Sequence, residues 1–183
     1  MIIASLLLAG SAGWAQDRVR LDGSAADPRV APPGTKAIVW LFTASDCPIS
    51  NRYAPEVARL AGQFGPEGVV FDLIYPNPRE TPASIREHMS AFAYADATKA
   101  FHDPDHVLVK IAGVSVTPEA AVFAAGRVVY RGRIDDRYVD FGRDRPAPTV
   151  HDLEDAVRAV ASGQAVRVAV TPAVGCFIAD FAR

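Results

Sequence analysis

Residues 37–42, Ala-Ile-Val-Trp-Leu-Phe, form an unbroken apolar run, and Cys47-Pro48-Ile49-Ser50 follows shortly after it. A short apolar run without polar alternation reads as an interior strand buried on both faces. Proline is favoured at the first helical position, where its missing N–H is one of the donors a helix leaves unpaired anyway. Pro48 is therefore expected to open a helix with Cys47 as its N-cap, which puts a thiol where a buried strand hands over to a helix. The sulfur then faces the positive end of the helix dipole. A free cysteine has a pKa of about 8.5, and this placement can lower it to roughly 3.5–7.5, so thiolate, the reactive form, is within reach at neutral pH.

The rest of the chain builds outward from that junction. A second apolar run at residues 68–75, separated from the first by the helix-length segment 48–64, makes a βαβ unit and hence a parallel pair with a right-handed crossover. Thr81-Pro82 opens a second helix with Ile85, Met89 and Phe92 on one face, and His88 beside that stripe is expected at the surface or boundary. His102-Asp103-Pro104-Asp105 reads as a turn, with His102 and His106 in loops, leading into a short helix at 107–112. Two strand-like runs, 119–124 and 127–134, flank Ala125-Gly126, the signal of an antiparallel hairpin, so the sheet is expected to be mixed. Thr149-Val150-His151-Asp152 reads as a capping box opening a last helix with Val150, Leu153, Val157 and Val160 on one side. The carboxylate groups Asp135-Asp136 and Asp152-Glu154-Asp155 read as solvated faces.

Residues 2–14 are apolar, too short to span a membrane, and end in small residues before Ala15-Gln16-Asp17, the pattern of a signal peptide cut near Ala15. The usual basic residue before the apolar stretch is absent, which leaves a short uncleaved anchor as the alternative. Export implies an oxidising compartment, periplasm or cell envelope, and two cysteines are the minimum for redox cycling within one molecule. The organisation expected is thus residues 1–15 as signal segment, 16–35 as an extension, 36–161 as one domain, and 162–183 as a tail carrying Cys176. A formal net charge of -2 and the lack of a basic stripe argue against nucleic acid as partner. No stable membrane span is expected after processing.

The element order, with a thiol at the first strand-to-helix junction, resembles the thioredoxin-like superfamily: a three-layer α/β fold with a mixed central sheet flanked by helices. Phe42-Thr43-Ala44-Ser45-Asp46-Cys47-Pro48-Ile49-Ser50 is similar to that family's Cys-x-x-Cys segment, and Pro55 falls where its active-site helix kinks. Val116-Thr117-Pro118 resembles the cis-proline loop, which implies that Thr117 and Pro118 shape a groove for extended substrates. More narrowly, residues 46–55, the segment Gly132-Arg133-Ile134-Asp135-Asp136 and Gly175-Cys176 resemble exported redoxin-domain proteins of the AhpC/TSA-like group, here with a Cys-x-x-Ser motif.

The departures matter as much. Ser50 stands where the resolving thiol would be, and Leu41 where thioredoxins bury an acid on the preceding strand; without the local thiol there is nothing for that acid to deprotonate. Ser50 can still donate to the Cys47 thiolate and lower its pKa. A peroxidase would need Thr or Ser three places before the cysteine, and Ala44 stands there, which leaves at most weak peroxidase activity. Asp46 opposes thiolate formation unless Arg52 turns back to offset it. The leading expectation is an exported thiol-disulfide oxidoreductase acting on protein thiols or disulfides, with Cys47 as nucleophile and Cys176 as a distant resolving thiol or structural disulfide partner. The alternative is a non-catalytic binding or assembly module. No cofactor is required by the first reading; the second admits copper, with Cys47, His102 and Cys176 as a soft Cu(I) donor set.

Overall fold

Strand β1 (Ala37–Phe42) is buried along its whole length and is the centre of the sheet. Successive side chains of a strand point to opposite faces. Ala37, Val39 and Leu41 accordingly enter one core, while Ile38, Trp40 and Phe42 enter another. A computed structural model describes residues 27–94 and 98–179. The expected signal segment, most of the expected extension, and the last residues of the tail lie outside these described residues.

After β1 come α1 (Pro48–Phe64), β2 (Val69–Tyr75), α2 (Pro82–Ala91), β3 (Lys99–His102) and α3 (Val107–Ala112), then β4 (Val116–Thr117), β5 (Glu119–Ala124) and β6 (Arg127–Gly132). The sheet order is β3-β2-β1-β5-β6. β1 pairs parallel with β2, and β2 with β3, while β5 runs antiparallel to both β1 and β6, so the sheet is mixed as expected. A small hairpin of β7 (Tyr138–Asp140) and β8 (Arg143–Asp144) precedes α4 (Asp152–Ala161), and β9 (Cys176–Phe177) is the last element among the described residues.

One face of the sheet is covered by α1, α2 and α4 through Val57, Leu60, Ile85, Leu153 and Val157. The other is covered by α3 through Leu108, Val109 and Ala112 against Trp40 and Phe42. The two layers of helix keep β1 dry, and the ends of the central strands open toward α1's first turn. β3 is an element that residue patterning did not isolate, because its four residues carry no alternation longer than two.

Three expectations are corrected. The capping box at the start of α4 does not form: His151 is the N-cap and makes no side-chain cap. Thr149 is held instead by Asp136, whose carboxylate accepts from Thr149 N–H (2.6 Å), the Thr149 hydroxyl (2.6 Å) and Val150 N–H (3.0 Å). Those donors hold the Asp136 carboxyl well below the usual range. Asp135 and Asp136 are thus buried organisers of a loop rather than a solvated pair, and Asp135 accepts from the Tyr53 hydroxyl on α1. His88 is the third correction: it is buried, for reasons that concern the thiol.

Candidate active site around Cys47 and Cys176

Cys47 is the N-cap of α1 and Pro48 its first residue, so local chemistry alone sets the thiol at the helix's positive end. Burial pushes the Cys47 thiol up, but hydrogen bonds from Cys176, from the Ser50 hydroxyl and from Ser50 N–H outweigh it and bring the thiol below its ordinary value. The Ser50 hydroxyl is buried on the first turn of α1 and makes no geometric hydrogen bond among the described residues, so it is free to turn to the sulfur whose pKa it lowers. In its thiol form Cys47 donates to Thr117 O at 3.1 Å.

Cys176 arrives from the far end of the chain. β9 lies antiparallel on β4, with Cys176 opposite Thr117 and Phe177 opposite Val116, and Ile178 N–H extends the pairing to Ser115 O at 3.0 Å. This register sets Cys176 Sγ 2.6 Å from Cys47 Sγ. The two thiols are pushed apart in acidity: burial, the hydrogen bond to Cys47 and the charges of Cys47 and Asp46 raise Cys176 to about 12. The two sulfurs are driven in opposite directions, Cys47 toward losing its proton and Cys176 toward keeping it.

The loop before Cys47 is fixed by a relay of side chains. Asn51 Nδ2 donates to Ser45 O at 3.1 Å, which turns its Oδ1 toward His88 Nε2 at 2.8 Å. Nε2 is then the protonated nitrogen of a neutral imidazole, and Nδ1 accepts from the Tyr75 hydroxyl at 2.8 Å. Burial lowers the His88 pKa and keeps it in that neutral form. Glu80 supports the same loop by accepting from Ser45 N–H at 2.8 Å, and Glu119 holds the facing loop by accepting from Ser115 N–H at 2.9 Å. The peptide bond between Thr117 and Pro118 is cis. A groove of about 260 Å³ runs beside the sulfurs, lined by Ala44, Asp46, Pro76, Arg79, Thr117 and Ile178 among others.

Of the residues singled out from sequence, Cys47, Ser50, Thr117, Pro118 and Cys176 come together. His102 does not join them. Among the described residues the one group whose ligand atoms lie within 4.8 Å of one another is Glu56, His151 and Glu154, so the Cys47, His102, Cys176 donor set for copper is not assembled. His102 Nε2 is instead within 3.1 Å of Asn77 O. Nor does Arg52 turn back toward Asp46; its guanidinium pairs with Asp144 on β8 at 3.2 Å. Asn51, His88 and Glu80 were not foreseen. Asn51 lies four residues after the thiol, on the same helical face, and that spacing was the one available signal.

No family model matches the sequence, and no curated protein matches it. Solved structures do. An uncharacterized conserved protein from Geobacillus kaustophilus superposes with a TM-score of 0.76 at 24% identity, over 88% of this chain and 86% of that one. A hypothetical protein from Sinorhizobium meliloti gives 0.73 at 24% identity, over 88% of each chain. A secreted Mycobacterium tuberculosis disulfide oxidoreductase homologous to Escherichia coli DsbE gives 0.52 at 17% identity, over 80% of this chain and 93% of that one. The likeness is one of fold, and the fold is thioredoxin-like: a mixed sheet between helical layers with Cys47 at the first strand-to-helix junction.

Proposed function

We propose that this chain is a thiol-disulfide oxidoreductase of the cell envelope, with Cys47 as nucleophile and Cys176 as resolving thiol. The observation that carries the reading is the 2.6 Å approach of the two sulfurs with their acidities driven in opposite directions. In the reducing direction the Cys47 thiolate attacks one sulfur of a substrate disulfide. A mixed disulfide forms, and the other substrate sulfur leaves as thiolate and takes a proton. Cys176 then gives up its proton and attacks Cys47 Sγ, forming the Cys47–Cys176 disulfide and releasing the second substrate thiol. Two electrons pass to the substrate, and an external dithiol restores the protein; the same steps reversed oxidise a substrate dithiol. Thr117, which lines the groove, and the cis Pro118 that follows it would position an extended substrate. Export rests on the apolar segment 2–14, and among the described residues no helix is long and apolar enough to cross a membrane.

The reduced protein should exchange with small disulfides, Cys47→Ser should not, and Cys176→Ser should accumulate the mixed disulfide on Cys47, read by intact mass. Equal exchange by the wild type and Cys47→Ser would dismiss the reading. One observation favours a binding or assembly module instead: Cys47 is only 1% exposed. Alkylation by iodoacetamide at about pH 6 separates the two, since an activated thiol outpaces a cysteine peptide and an inert buried one does not.

A further inference from the structure

The strand edge beside Cys47 is already taken. β9 is added to β4 in the antiparallel register an extended peptide would need, with its own cysteine against the nucleophile. We propose that residues 175–178 are an image of the bound substrate, and that the substrate class is an extended protein segment carrying a cysteine immediately preceded by glycine and followed, two places on, by an apolar residue. This rests on the thiol-exchange reading above.

Each position of the image carries its own constraint. A Cβ on Gly175 would stand 2.3 Å from Thr117 O and 2.7 Å from Thr117 C, both backbone atoms that cannot swing aside. No residue larger than glycine fits before the cysteine in this register. Cys176 occupies the place of the substrate sulfur. Phe177 pairs through its backbone with Val116 but is 81% exposed, so the side chain at the next position is tolerant. Ile178 packs against the core of Trp40, Phe42 and Leu108, which asks for an apolar side chain two places after the cysteine. Burial of Cys47 follows from the same occupancy: substrate and tail compete for one edge, so the tail must lift before a substrate can reach the thiolate.

The test uses full-length Cys176→Ser protein and two synthetic hexapeptides, Ala-Val-Gly-Cys-Phe-Ile and the same with alanine for glycine. Each cysteine is activated as its disulfide with thionitrobenzoate. Cys47 thiolate attacks the peptide sulfur, the Cys47–peptide disulfide forms as the bond to thionitrobenzoate breaks, and coloured thionitrobenzoate leaves with the electron pair. Intact mass verifies that the peptide is the group retained. The glycine peptide should react at least about tenfold faster, the equivalent of one close backbone overlap. The tail competes equally with both peptides, so it does not alter their ratio. Adding Gly175→Ala, which introduces the same overlap into the tail, should speed both reactions and leave the ratio in place. Equal rates for the two peptides, with Cys47 still reacting with dithionitrobenzoate itself, would overturn the glycine requirement alone. Failure of Cys47 to react even with dithionitrobenzoate would overturn this inference together with the thiol-exchange reading.

Discussion

Residues 169–171 and 175–178 are both tail segments laid on the edge of a strand, and in both a glycine removes the Cβ that would block the approach. At the first, Arg131 N–H donates to Ala169 O at 2.9 Å and Thr171 N–H to Arg131 O at 3.0 Å, on β6. Thr171 is buried over Gly132, where a Cβ would fall 2.2 Å from its Oγ1, and that hydroxyl lies 2.7 Å from the Tyr130 hydroxyl and accepts from Arg133 N–H at 3.2 Å. The second segment has a two-residue ladder, an exposed Phe177 and a pair of sulfurs. The first is an anchor whose polar groups are satisfied from several sides; the second is a latch held by its short ladder, the packing of Ile178 and the sulfurs. Pro172-Ala173-Val174 joins them, with Val174 packed against the main core.

The largest expected effect is on the latch. A Cys47–Cys176 disulfide closes a loop of 129 residues, and on the chain-entropy model so long a loop stabilises by on the order of 4–5 kcal/mol, or roughly 10–15 °C in Tm. Calorimetry of the oxidised and reduced protein should show that gap, and Cys176→Ser should match the reduced form. A gap that persists in Cys176→Ser would show that the latch sulfurs are not its source.

Breaking the anchor comes next. Gly132 has φ +150° and backbone of Thr171 within 2.4 Å of a would-be Cβ. Gly132→Val should therefore cost about 3 kcal/mol or more by urea denaturation, with an unchanged slope. Gly175→Ala should cost well under half of that, about 1 kcal/mol, because the latch carries little of the fold, while it raises the alkylation rate of Cys47. Equal costs for the two would erase the distinction between anchor and latch. A milder change than Gly132→Val separates the anchor's shape from its hydrogen bonds. Thr171→Val keeps the volume but leaves Arg133 N–H and Tyr130 without their hydroxyl partner, at a cost of about 1–2 kcal/mol, with alkylation of Cys47 unchanged.

The two regions also differ in how far they could be read from residues. The junction at Cys47 was legible because its determinants are adjacent: an apolar strand, a proline at the first helical position, and a serine one turn on. Parallel and antiparallel strands, with the hairpin at Ala125-Gly126, were legible for the same reason. The tail was not, because two-residue strands have no period, and a glycine that admits a neighbouring backbone looks like any other glycine until the neighbour is known. Cys176 was recognised as a candidate partner by its chemistry, but its register against Thr117 is set by a pairing across the whole chain. His88 is buried rather than at the surface or boundary because its partners, Tyr75 and Asn51, belong to other elements. Asp135 and Asp136 were misread for a related reason: a carboxylate pair satisfied by N–H and O–H groups buries as readily as it solvates.

A pH-dependent effect isolates the sulfurs from everything else that holds the tail. In the reduced protein Cys47 titrates below its ordinary value and Cys176 is pushed up to about 12, while in the unfolded chain both return to the ordinary value. Between the folded pKa of Cys47 and that ordinary value the unfolded chain holds a proton that the folded chain has lost, so stability rises with pH. Above it the order reverses: the unfolded chain loses the Cys176 proton and the folded chain keeps it to about pH 12, so stability falls. The buried tyrosines Tyr53, Tyr75, Tyr94 and Tyr130, all raised by burial, deepen that fall in either redox form. In the disulfide neither sulfur titrates, so the difference between reduced and oxidised stability curves cancels the tyrosines and leaves the latch. Urea denaturation of both forms between about pH 6 and 11 should give a reduced-minus-oxidised curve with its maximum near pH 9. Thr171→Val, which touches only the anchor, should shift both curves by the same amount and leave their difference intact. A flat difference would mean that the two thiols do not share a proton in the folded state, and that the latch is closed by its backbone pairing rather than by its sulfurs.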